Sequence, residues 1–432
     1  MRKGILDFFM LLVINPRGHW KRSPPTVYPE LHEMPVSHGG SNVSESLSAR
    51  DADVLIVGAG PVGLTIALAL GMAGVTTLVL EQRASVRDTS RAIGVTPASL
   101  EILERYGVAA EMAADGVKVR HAVIHGDESE IARVGFEALP TDYRFILSLP
   151  QKRTEEILLR AVERQESVRV LRGRRVADIS LEGGGVRVTV ETGGGEEVYR
   201  GGVLCGCDGK HSTVRELMGA RWTGRALSKS FAMADITDET GLGETAHLYF
   251  TSTGSVESFP LPGGVRRWIV QTDHYVAEPP DGLLQELVRG RSRVDLRGCE
   301  ELWRSSFTTE RRIATPWARP PIFLAGDAAH LMPPIGGQGM NVGLGDAEHL
   351  ADLLLHADRR ARAGEYERRR RRAFRTAARR SILGMRIGAA TGRAASRLRE
   401  FLIPVALRGR REQRIMAHFA MLASPNRRSP WR

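Results

Sequence analysis

The sequence predicts an α/β protein: a parallel sheet with helices on both sides, an inserted antiparallel sheet, and helices at the carboxyl end. Three observations support this. They are a strand–glycine loop–helix–strand unit near residues 52–81, alternating segments between about 226 and 310, and an arginine-rich stretch after residue 355. The length of 432 residues suits two or three domains, and 42% hydrophobic with 26% charged residues is a globular composition.

The first unit carries the most specific local pattern. Residues 54–57 form a short, continuous apolar run, which is typical of a strand buried on both faces. Gly58, Gly60 and Gly63 follow, and then come a helix over 64–72 and a second buried strand over 76–80 that ends at Glu81. In that setting the glycines permit a tight turn, close approach of a pyrophosphate, and close packing of helix on strand. The unit therefore predicts a Rossmann-type dinucleotide-binding fold, with Glu81 accepting hydrogen bonds from ribose hydroxyls.

The remaining elements follow from apolar runs and turn residues. We expect helices over 153–166 and from Asn341 to about residue 355, and buried or alternating strands over 168–171, 186–190, 198–205, 246–250, 267–271 and 321–325. The strand over 321–325 should be parallel and buried, since it is apolar throughout.

Two further segments favour FAD over NAD as the dinucleotide. Asp208-Gly209 comes directly after a predicted strand, and residues 326–341 begin with Gly326-Asp327 and continue as a glycine- and proline-rich loop. Asp327 at a strand end can bind a second ribose, and the loop glycines let backbone N–H groups approach a flat ring. A helix that begins near Asn341 would direct its positive end at that ring and stabilise an anionic reduced flavin.

Together the three segments resemble the class A FAD-dependent aromatic monooxygenases, which are similar to para-hydroxybenzoate hydroxylase, and among them the aromatic polyketide hydroxylases. The similarity covers about residues 51–355. It implies FAD as cofactor, NAD(P)H as a transient co-substrate, dioxygen, and hydroxylation of an aromatic or polyketide-like small molecule through a C4a-hydroperoxyflavin. It implies no metal and leaves the catalytic residues unknown. The residues to which it gives a cofactor-binding role are Gly58, Gly60, Pro61, Val62, Gly63, Glu81, Gln82, Arg83, Arg91, Gln151, Asp208, Gly326, Asp327, Pro333, Gly336, Gly337, Gln338, Gly339, Met340 and Asn341.

Several of these residues keep a structural alternative. Arg91 fits an ordinary surface arginine, Gln151 a neighbour of a helix cap, and Asp208 a turn former before glycine. His330 fits either flavin contact or packing beside the loop. In the antiparallel region His247, Tyr249, His274 and Tyr275 could orient or deprotonate a phenol, although each also fits a plain strand residue.

The pattern divides the chain into four kinds of segment. Residues 1–50 are expected to be a disordered extension, 51–115, 150–225 and 311–355 the FAD-binding domain, 116–149 and 226–310 the substrate-binding sheet, and 356–432 an arginine-rich helical tail. Cys205 and Cys207 are expected to be small buried strand residues, because a C-x-C pair without further ligands is not a metal site.

The net charge of +11 comes from the tail alone. Residues 356–432 hold 22 arginines against five acidic residues, so the rest of the chain is mildly acidic and a poor nucleic-acid binder. We expect the tail to cover the body as helices; membrane-surface contact through the apolar residues 401–407 is the alternative. Three cysteines cannot form a disulfide framework, which favours a cytoplasmic location.

Other functions on the same fold remain open at this point. A prenyl reductase would reduce an isoprenoid double bond without oxygen, and the basic tail is compatible with it. A flavin-dependent halogenase usually shows a Trp-x-Trp-x-Ile-Pro segment, which this sequence lacks. A flavoprotein without turnover would not need the complete loop over 333–341. The oligomeric state is not predicted.

Overall fold

The computed structural model describes residues 50–86, 92–334 and 336–421, and within them three sheets and ten α-helices. The strands are β1 (Ala52–Val57), β2 (Thr77–Glu81), β3 (Gly94–Val95), β4 (Val117–Val119), β5 (His121–His125), β6 (Glu130–Gly135), β7 (Ile146–Ser148), β8 (Val168–Arg172), β9 (Arg175–Glu182), β10 (Gly185–Thr192), β11 (Gly195–Gly206), β12 (Arg221–Thr237), β13 (Ala246–Thr251), β14 (Gly254–Leu261), β15 (Val265–Thr272), β16 (Glu301–Thr315), β17 (Ala318–Arg319), β18 (Ile322–Leu324) and β19 (His330–Leu331). The helices are α1 (Pro61–Met72), α2 (Pro97–Glu104), α3 (Ala109–Asp115), α4 (Gln151–Glu163), α5 (Thr213–Leu217), α6 (Leu283–Ser292), α7 (Gln338–Leu354), α8 (Arg359–Gly388), α9 (Arg393–Ala406) and α10 (Arg410–Phe419). The predicted extension, apart from Arg50, and Arg91 lie outside the described residues.

The first sheet is the predicted parallel one. Its strand order is β17-β18-β11-β1-β2-β8, and β18, β11, β1, β2 and β8 run parallel. The apolar run in β1 explains why both faces are covered. Val54 and Ile56 pack against α1 and α7, whereas Leu55 and Val57 pack in the opposite cluster with Trp317.

Three helices begin earlier than the sequence predicts. Helix α1 begins three residues early at Pro61, because proline at the first helical position has no N–H to satisfy. Helix α4 covers 151–163 instead of 153–166. Helix α7 begins at Gln338 and not near Asn341. The reason is that Gly337 adopts the left-handed conformation, with φ of 63°, so the chain completes its turn at Gly337 and the helix can start at the next residue.

The second sheet has the order β19-β16-β12-β15-β14-β13-β5-β6 and is antiparallel except between β13 and β5. One of its faces packs on α6, where Tyr249, Val256 and Trp268 share a cluster with Leu284. The opposite face turns toward the end of α8, since a Cβ on Gly388 would lie 2.8 Å from Phe250. The third sheet is small, with the order β3-β7-β4.

The arginine-rich helices pack on this body mainly through small and aromatic residues of α8, and through Ile415 and Met416 of α10. On α8 the buried positions are Ala363, Tyr366, Arg370, Ala373, Phe374, Ala377, Ala378, Ser381, Met385 and Gly388. Arginines 368, 369, 372, 375 and 379 are exposed on the other side.

No helix among the described residues combines the length and the apolar character needed to cross a bilayer.

Helix α9 is fastened to the second sheet by one buried arginine. Arg399 is 5% exposed. Its Nη2 donates to the carbonyls of Phe250 at 3.0 Å and Thr251 at 2.8 Å, and its Nη1 donates to Ile387 at the end of α8 at 3.2 Å. One side chain therefore joins α8, α9 and the end of β13.

Arg399→Met should lower the free energy of unfolding by about 1–3 kcal/mol, because buried carbonyls lose a charged donor. The matched control is Arg397→Met on the same helix, whose side chain is exposed and whose loss should cost less than about 0.5 kcal/mol. Urea unfolding followed by circular dichroism measures both. Equal stability of the two variants would contradict this account of how α9 is attached.

Candidate functional site

The three predicted motifs lie side by side at one edge of the parallel sheet. They follow the carboxyl ends of β1, β11 and β18, which are neighbours in that sheet. Backbone hydrogen bonds continue past the strand ends, from Cys207 N to Val57 O at 2.8 Å and from Ala325 N to Gly206 O at 3.0 Å. In open α/β sheets ligands bind in the crevice outside this carboxyl edge, and that crevice is here called the cleft.

The glycine loop shows which glycines serve packing and which leave room. A Cβ on Gly58, whose φ is 104°, would lie 2.5 Å from Cys207 O, and one on Gly63 would lie 2.0 Å from Gly58 O. At Gly60, by contrast, no described atom lies within 4 Å of the position that a Cβ would take. Gly58 and Gly63 are therefore required by packing, whereas Gly60 faces open space.

The same loop leaves the start of α1 uncapped. Gly60 is the N-cap and, among the described residues, no side chain accepts a hydrogen bond from the first helical turn. A helix start of this kind offers free N–H groups and a partial positive charge to an anion. The open side of Gly60 and the uncapped helix together fit a pyrophosphate.

Both carboxylate oxygens of Glu81 accept hydrogen bonds from the protein itself, from two backbone N–H groups and from the Arg83 side chain. Glu81 is 2% exposed; Oε2 accepts from Ala59 N at 2.8 Å, and Oε1 accepts from Arg83 N and Nε, both at 2.9 Å. Burial would raise the pKa of Glu81, but these hydrogen bonds outweigh it and lower the pKa below its usual value. Glu81 thus orients the glycine loop; its contact with a ribose stays a prediction. Gln82 is exposed beside it.

Asp208 supports the start of the short helix α5, whose N-cap is Ser212. Its carboxylate accepts from Ser212 Oγ at 2.5 Å and from Val214 N at 3.1 Å. Burial raises the pKa of Asp208, and these two hydrogen bonds offset only part of that rise. The side chain is half-buried, so it lines the cleft while it organises the turn after β11.

Arg215 joins two of the motifs and had no role in the sequence prediction. It is 3% exposed, donates to Lys210 O at 3.1 Å and Ala328 O at 3.2 Å, and lies 4.1 Å from the ring centre of Trp222. It therefore connects the Asp208 turn to the Gly326–Ala328 turn. In the sequence, an arginine inside a polar segment gives no signal that separates it from surface arginines.

The Gly326-Asp327 turn lies directly against the start of α1. A Cβ on Gly326, whose φ is 62°, would lie 2.9 Å from Val62, and one on Gly343 in α7 would lie 2.7 Å from the same side chain. The side chain of Asp327 is exposed to the cleft. The protein around it still removes part of its hydration, and this desolvation raises the pKa of Asp327. An accessible carboxylate in such a place is suited to accept hydrogen bonds from ligand hydroxyls.

The loop that follows is exposed on its glycine side and fixed by Asn341. Gly336 and Gly337 have φ of 80° and 63° and are exposed, and Gly339 has open space where a Cβ would point. Asn341 is 1% exposed; it donates to Gly94 O at 2.9 Å and Gly337 O at 2.6 Å and accepts from Thr96 N at 2.9 Å. Its side chain therefore shapes the loop from behind. Pro333 and Gln338 are buried, and Met340 is half-buried.

A fully buried carboxylate, Asp346 of α7, connects this loop to the tail. It accepts from Gly326 N at 3.0 Å and pairs with His330 Nε2 and Arg370 Nε, each at 2.6 Å. Burial alone would raise the pKa of Asp346, but Arg370 and His330 outweigh it and lower the pKa. His330 is 1% exposed and lies 4.7 Å from Phe374, so it packs beside the loop instead of facing the cleft.

Gln151 is the first residue of α4 and lies next to the segment that carries Gly94. Its backbone N donates to Ala92 O at 3.0 Å, and its Nε2 donates to Glu155 at 2.8 Å. This position fits both earlier interpretations, a helix-start residue and a cleft residue.

The aromatic and histidine candidates of the second sheet are not brought to the cleft. Tyr249 belongs to the cluster under α6, and His247 lies beside it with Nδ1 3.0 Å from His125 Nε2. Burial, and then the neighbouring His125, lower the pKa of His247 to about 4. His274 and Tyr275 are exposed in the loop after β15.

Comparison with known proteins agrees with this geometry. A profile of the FAD binding domain family matches residues 51–381. The chain is 35% identical over 314 residues to the 6-methylpretetramide 4-monooxygenase of Streptomyces rimosus, covering 70% of this chain and 55% of the relative. It is 32% identical over 316 residues to the 3-(3-hydroxy-phenyl)propionate/3-hydroxycinnamic acid hydroxylase of Comamonas testosteroni, covering 70% and 52%. The chain thus spans about half the length of these curated relatives.

Solved structures show the same architecture. The anhydrotetracycline hydroxylase OxyS from Streptomyces rimosus aligns with a TM-score of 0.72 and 28% identity over 86% of this chain and 76% of that one. The p-nitrophenol 4-monooxygenase PnpA from Pseudomonas putida aligns with a TM-score of 0.77 over 88% and 99%; at 24% identity it supports the fold alone.

Arg370→Met should lower the free energy of unfolding by about 3–5 kcal/mol, because Asp346 would remain buried without its strongest partner. The matched control is Arg368→Met on the exposed side of α8, with an expected change below about 0.5 kcal/mol. Urea unfolding of both variants measures the difference. If the two arginines prove equivalent, the buried pair does not organise the loop.

Proposed function

The chain belongs to the FAD-binding domain family, and on that premise we propose that it is an FAD-dependent, NAD(P)H-consuming monooxygenase that hydroxylates an aromatic or polyketide-like small molecule. The observation that carries the proposal is the convergence of the three motif loops at one cleft whose wall is open at Gly60. The names of the reported relatives support the reaction class, since one is a 6-methylpretetramide 4-monooxygenase and the other a hydroxylase of a hydroxy-phenyl compound.

We assign the pyrophosphate of FAD to the open side of Gly60 and the uncapped start of α1. Asp208 and Asp327, the cleft carboxylates, would accept hydrogen bonds from the ribose and ribityl hydroxyls. The exposed backbone of Gly336 and Gly337, and the open side of Gly339, would lie against the ring. The other predicted cofactor residues would shape or flank these contacts. They are Pro61, Val62, Gly63, Glu81, Gln82, Arg83, Gln151, Gly326, Pro333, Gln338, Met340 and Asn341.

When bound, FAD supplies hydride acceptance and oxygen activation. The chain's own contribution is electrostatic and steric. The start of α7 has no side-chain cap among the described residues, so its N–H groups and the positive end of its dipole can stabilise negative charge on a bound ring. NAD(P)H would bind transiently at the same cleft, because the sequence has no second G-x-G-x-x-G unit.

The substrate would bind between this loop and the second sheet, which contains most of the segments over 116–149 and 226–310. A cytoplasmic location is part of the proposal, since all three cysteines are free. The prenyl-reductase alternative is not favoured, because the reported relatives are oxygenases.

The proposed reaction predicts a yellow protein that consumes NAD(P)H faster when a substrate is present. Products formed under ¹⁸O₂ from a panel of phenols and polycyclic ketones should gain one labelled oxygen atom, measured by mass spectrometry. Oxidation of NAD(P)H that yields only hydrogen peroxide with every compound of the panel would count against the proposal.

Two glycine variants separate cofactor binding from folding. Gly60→Ala should keep the melting temperature, because the added methyl group meets no protein atom, but should weaken FAD binding at least about tenfold by obstructing the pyrophosphate. Gly63→Ala should lower the melting temperature, because its Cβ would lie 2.0 Å from Gly58 O. Flavin fluorescence titration and thermal unfolding measure the two effects. A Gly60→Ala protein with wild-type FAD affinity would refute the placement of the pyrophosphate.

A further inference from the structure

A buried carboxylate in the middle of β14 has no evident structural purpose. Glu257 is 8% exposed, and within the described residues it makes no hydrogen bond or ion pair. Its neighbours across the sheet are Leu248 on β13 and Ile269 on β15, which offer only apolar side chains. Burial of an unpartnered carboxyl group is costly, so its position calls for a ligand.

Glu257 lines a small cavity between the second sheet and α8. The cavity measures about 10 Å³, which is room for about one water-sized oxygen. Its lining residues are Phe231, Phe250, Ser255, Glu257, Gly384, Met385, Gly388 and Ala389. Two of the three lining residues on α8 are glycines. At Gly388 a Cβ would lie 2.8 Å from Phe250, so the close approach of helix and sheet depends on a small residue there.

The cavity lies near the loop to which we assign the flavin ring. Ser381 on α8 donates its hydroxyl to Pro333 O at 2.7 Å, and Gly384 and Gly388 follow it on the same helix. With a rise of about 1.5 Å per residue, these residues lie about 5–10 Å along the helix axis from Ser381. That distance is of the order of one aromatic ring with its hydroxyl group.

We propose that Glu257 is a substrate-binding residue whose carboxyl group accepts the hydrogen bond of a hydroxyl on the aromatic substrate, with the hydroxyl oxygen in the cavity and the ring toward the 333–340 loop. The inference rests on the proposed function, because it needs a substrate at that loop. It adds the substrate class: a neutral, hydroxylated ring.

The charges around Glu257 determine this preference. On the same face of the sheet, Arg267 of β15 is paired with both oxygens of Asp235 of β12, at 2.6 and 2.7 Å. The residues of β13 beside Glu257 and the cavity residues of α8 carry no charge. Burial alone raises the pKa of Glu257 to about 7. Two further cations lie near the cavity, but both are bound to backbone carbonyls: Arg399 donates to Phe250 O at 3.0 Å, and Arg291 donates to Gln271 O at 2.6 Å. Among the described residues no cation pairs with Glu257, so a hydroxyl donor satisfies the group better than a substrate carboxylate.

The test is calorimetric titration of FAD-loaded protein with 4-methylphenol and with 4-methylbenzoate, in which a carboxylate replaces the hydroxyl. The variants are Glu257→Gln, Glu257→Leu and, as control, the exposed Glu278→Gln. We expect 4-methylphenol to bind Glu257→Leu at least about tenfold more weakly than wild type. Wild-type affinity should increase from pH 6 to pH 8, as the carboxyl group loses its proton and becomes a better acceptor. Glu257→Gln should lose that pH dependence and gain affinity for 4-methylbenzoate, and Glu278→Gln should match wild type.

Two results would overturn the inference. The first would be that the Glu257 variants bind FAD and also bind 4-methylphenol with the affinity and the pH dependence of the wild type. The second would be that the FAD-loaded wild-type protein binds none of the three phenols 4-methylphenol, 2-naphthol and 1-hydroxyanthraquinone. Failure of the proposed function shows separately, before any phenol is added, as a protein that does not take up FAD.

A stability measurement distinguishes ligand binding from a structural role. The pKa of Glu257 is raised from 4.5 to about 7 in the folded protein, so its contribution to stability is present below about pH 4.5 and is lost as pH rises through about 7. Glu257→Gln should therefore melt at a higher temperature than wild type at pH 8 and at nearly the same temperature at pH 5. A lower melting temperature of Glu257→Gln at pH 8 would mean that the carboxylate stabilises the fold, which contradicts the inference.

Discussion

The geometry of the cleft depends on one buried carboxylate. Asp346 has 0% exposure, and such a charge is tolerated inside a protein only when its hydrogen-bonding capacity is used. Its partners are Gly326 N, His330 and Arg370. The same requirement therefore fixes the turn before Asp327, the orientation of α7 and the position of α8. The neutralisation of Asp346 thus positions the turn at Gly326, while Asn341 and Ser381 bind the backbone of the loop that follows.

Close backbone approaches set the second constraint. Gly58 lies against Cys207, Gly63 against Gly58, and Gly326 and Gly343 against Val62. These contacts bring three separate chain segments to within the reach of a single extended ligand. They also explain why the side chains that face the cleft are few: most of its wall is backbone, which binds phosphates and flat rings through N–H groups and not through charge.

The sequence predicts the motif loops well and their supporting residues poorly. Buried apolar runs followed by glycines identify β1, β11 and β18 and the loops after them, because both strand burial and glycine conformation are local properties. Asp346, Arg370 and Arg215 are identified only by their tertiary partners; Arg370 is one of 22 arginines in its segment. Glu257 occupies an alternating position that fits a solvent-facing residue equally well. The sequence predicts the start of α7 too late, because the left-handed Gly337 belongs to the turn and the helix follows at once.

Arg370 lies far along the chain from the glycine loop that its ion pair helps to position. During synthesis on the ribosome, the nucleotide-binding strands and the Gly326 turn emerge first, with Asp346 still lacking its principal counter-charge. The cleft can reach its final arrangement only after α8 has left the exit tunnel. Assembly of the cofactor site is thereby coupled to completion of the polypeptide well beyond the last glycine motif, and a nascent chain that stops before α8 would present the motif residues without the charge balance that orders them.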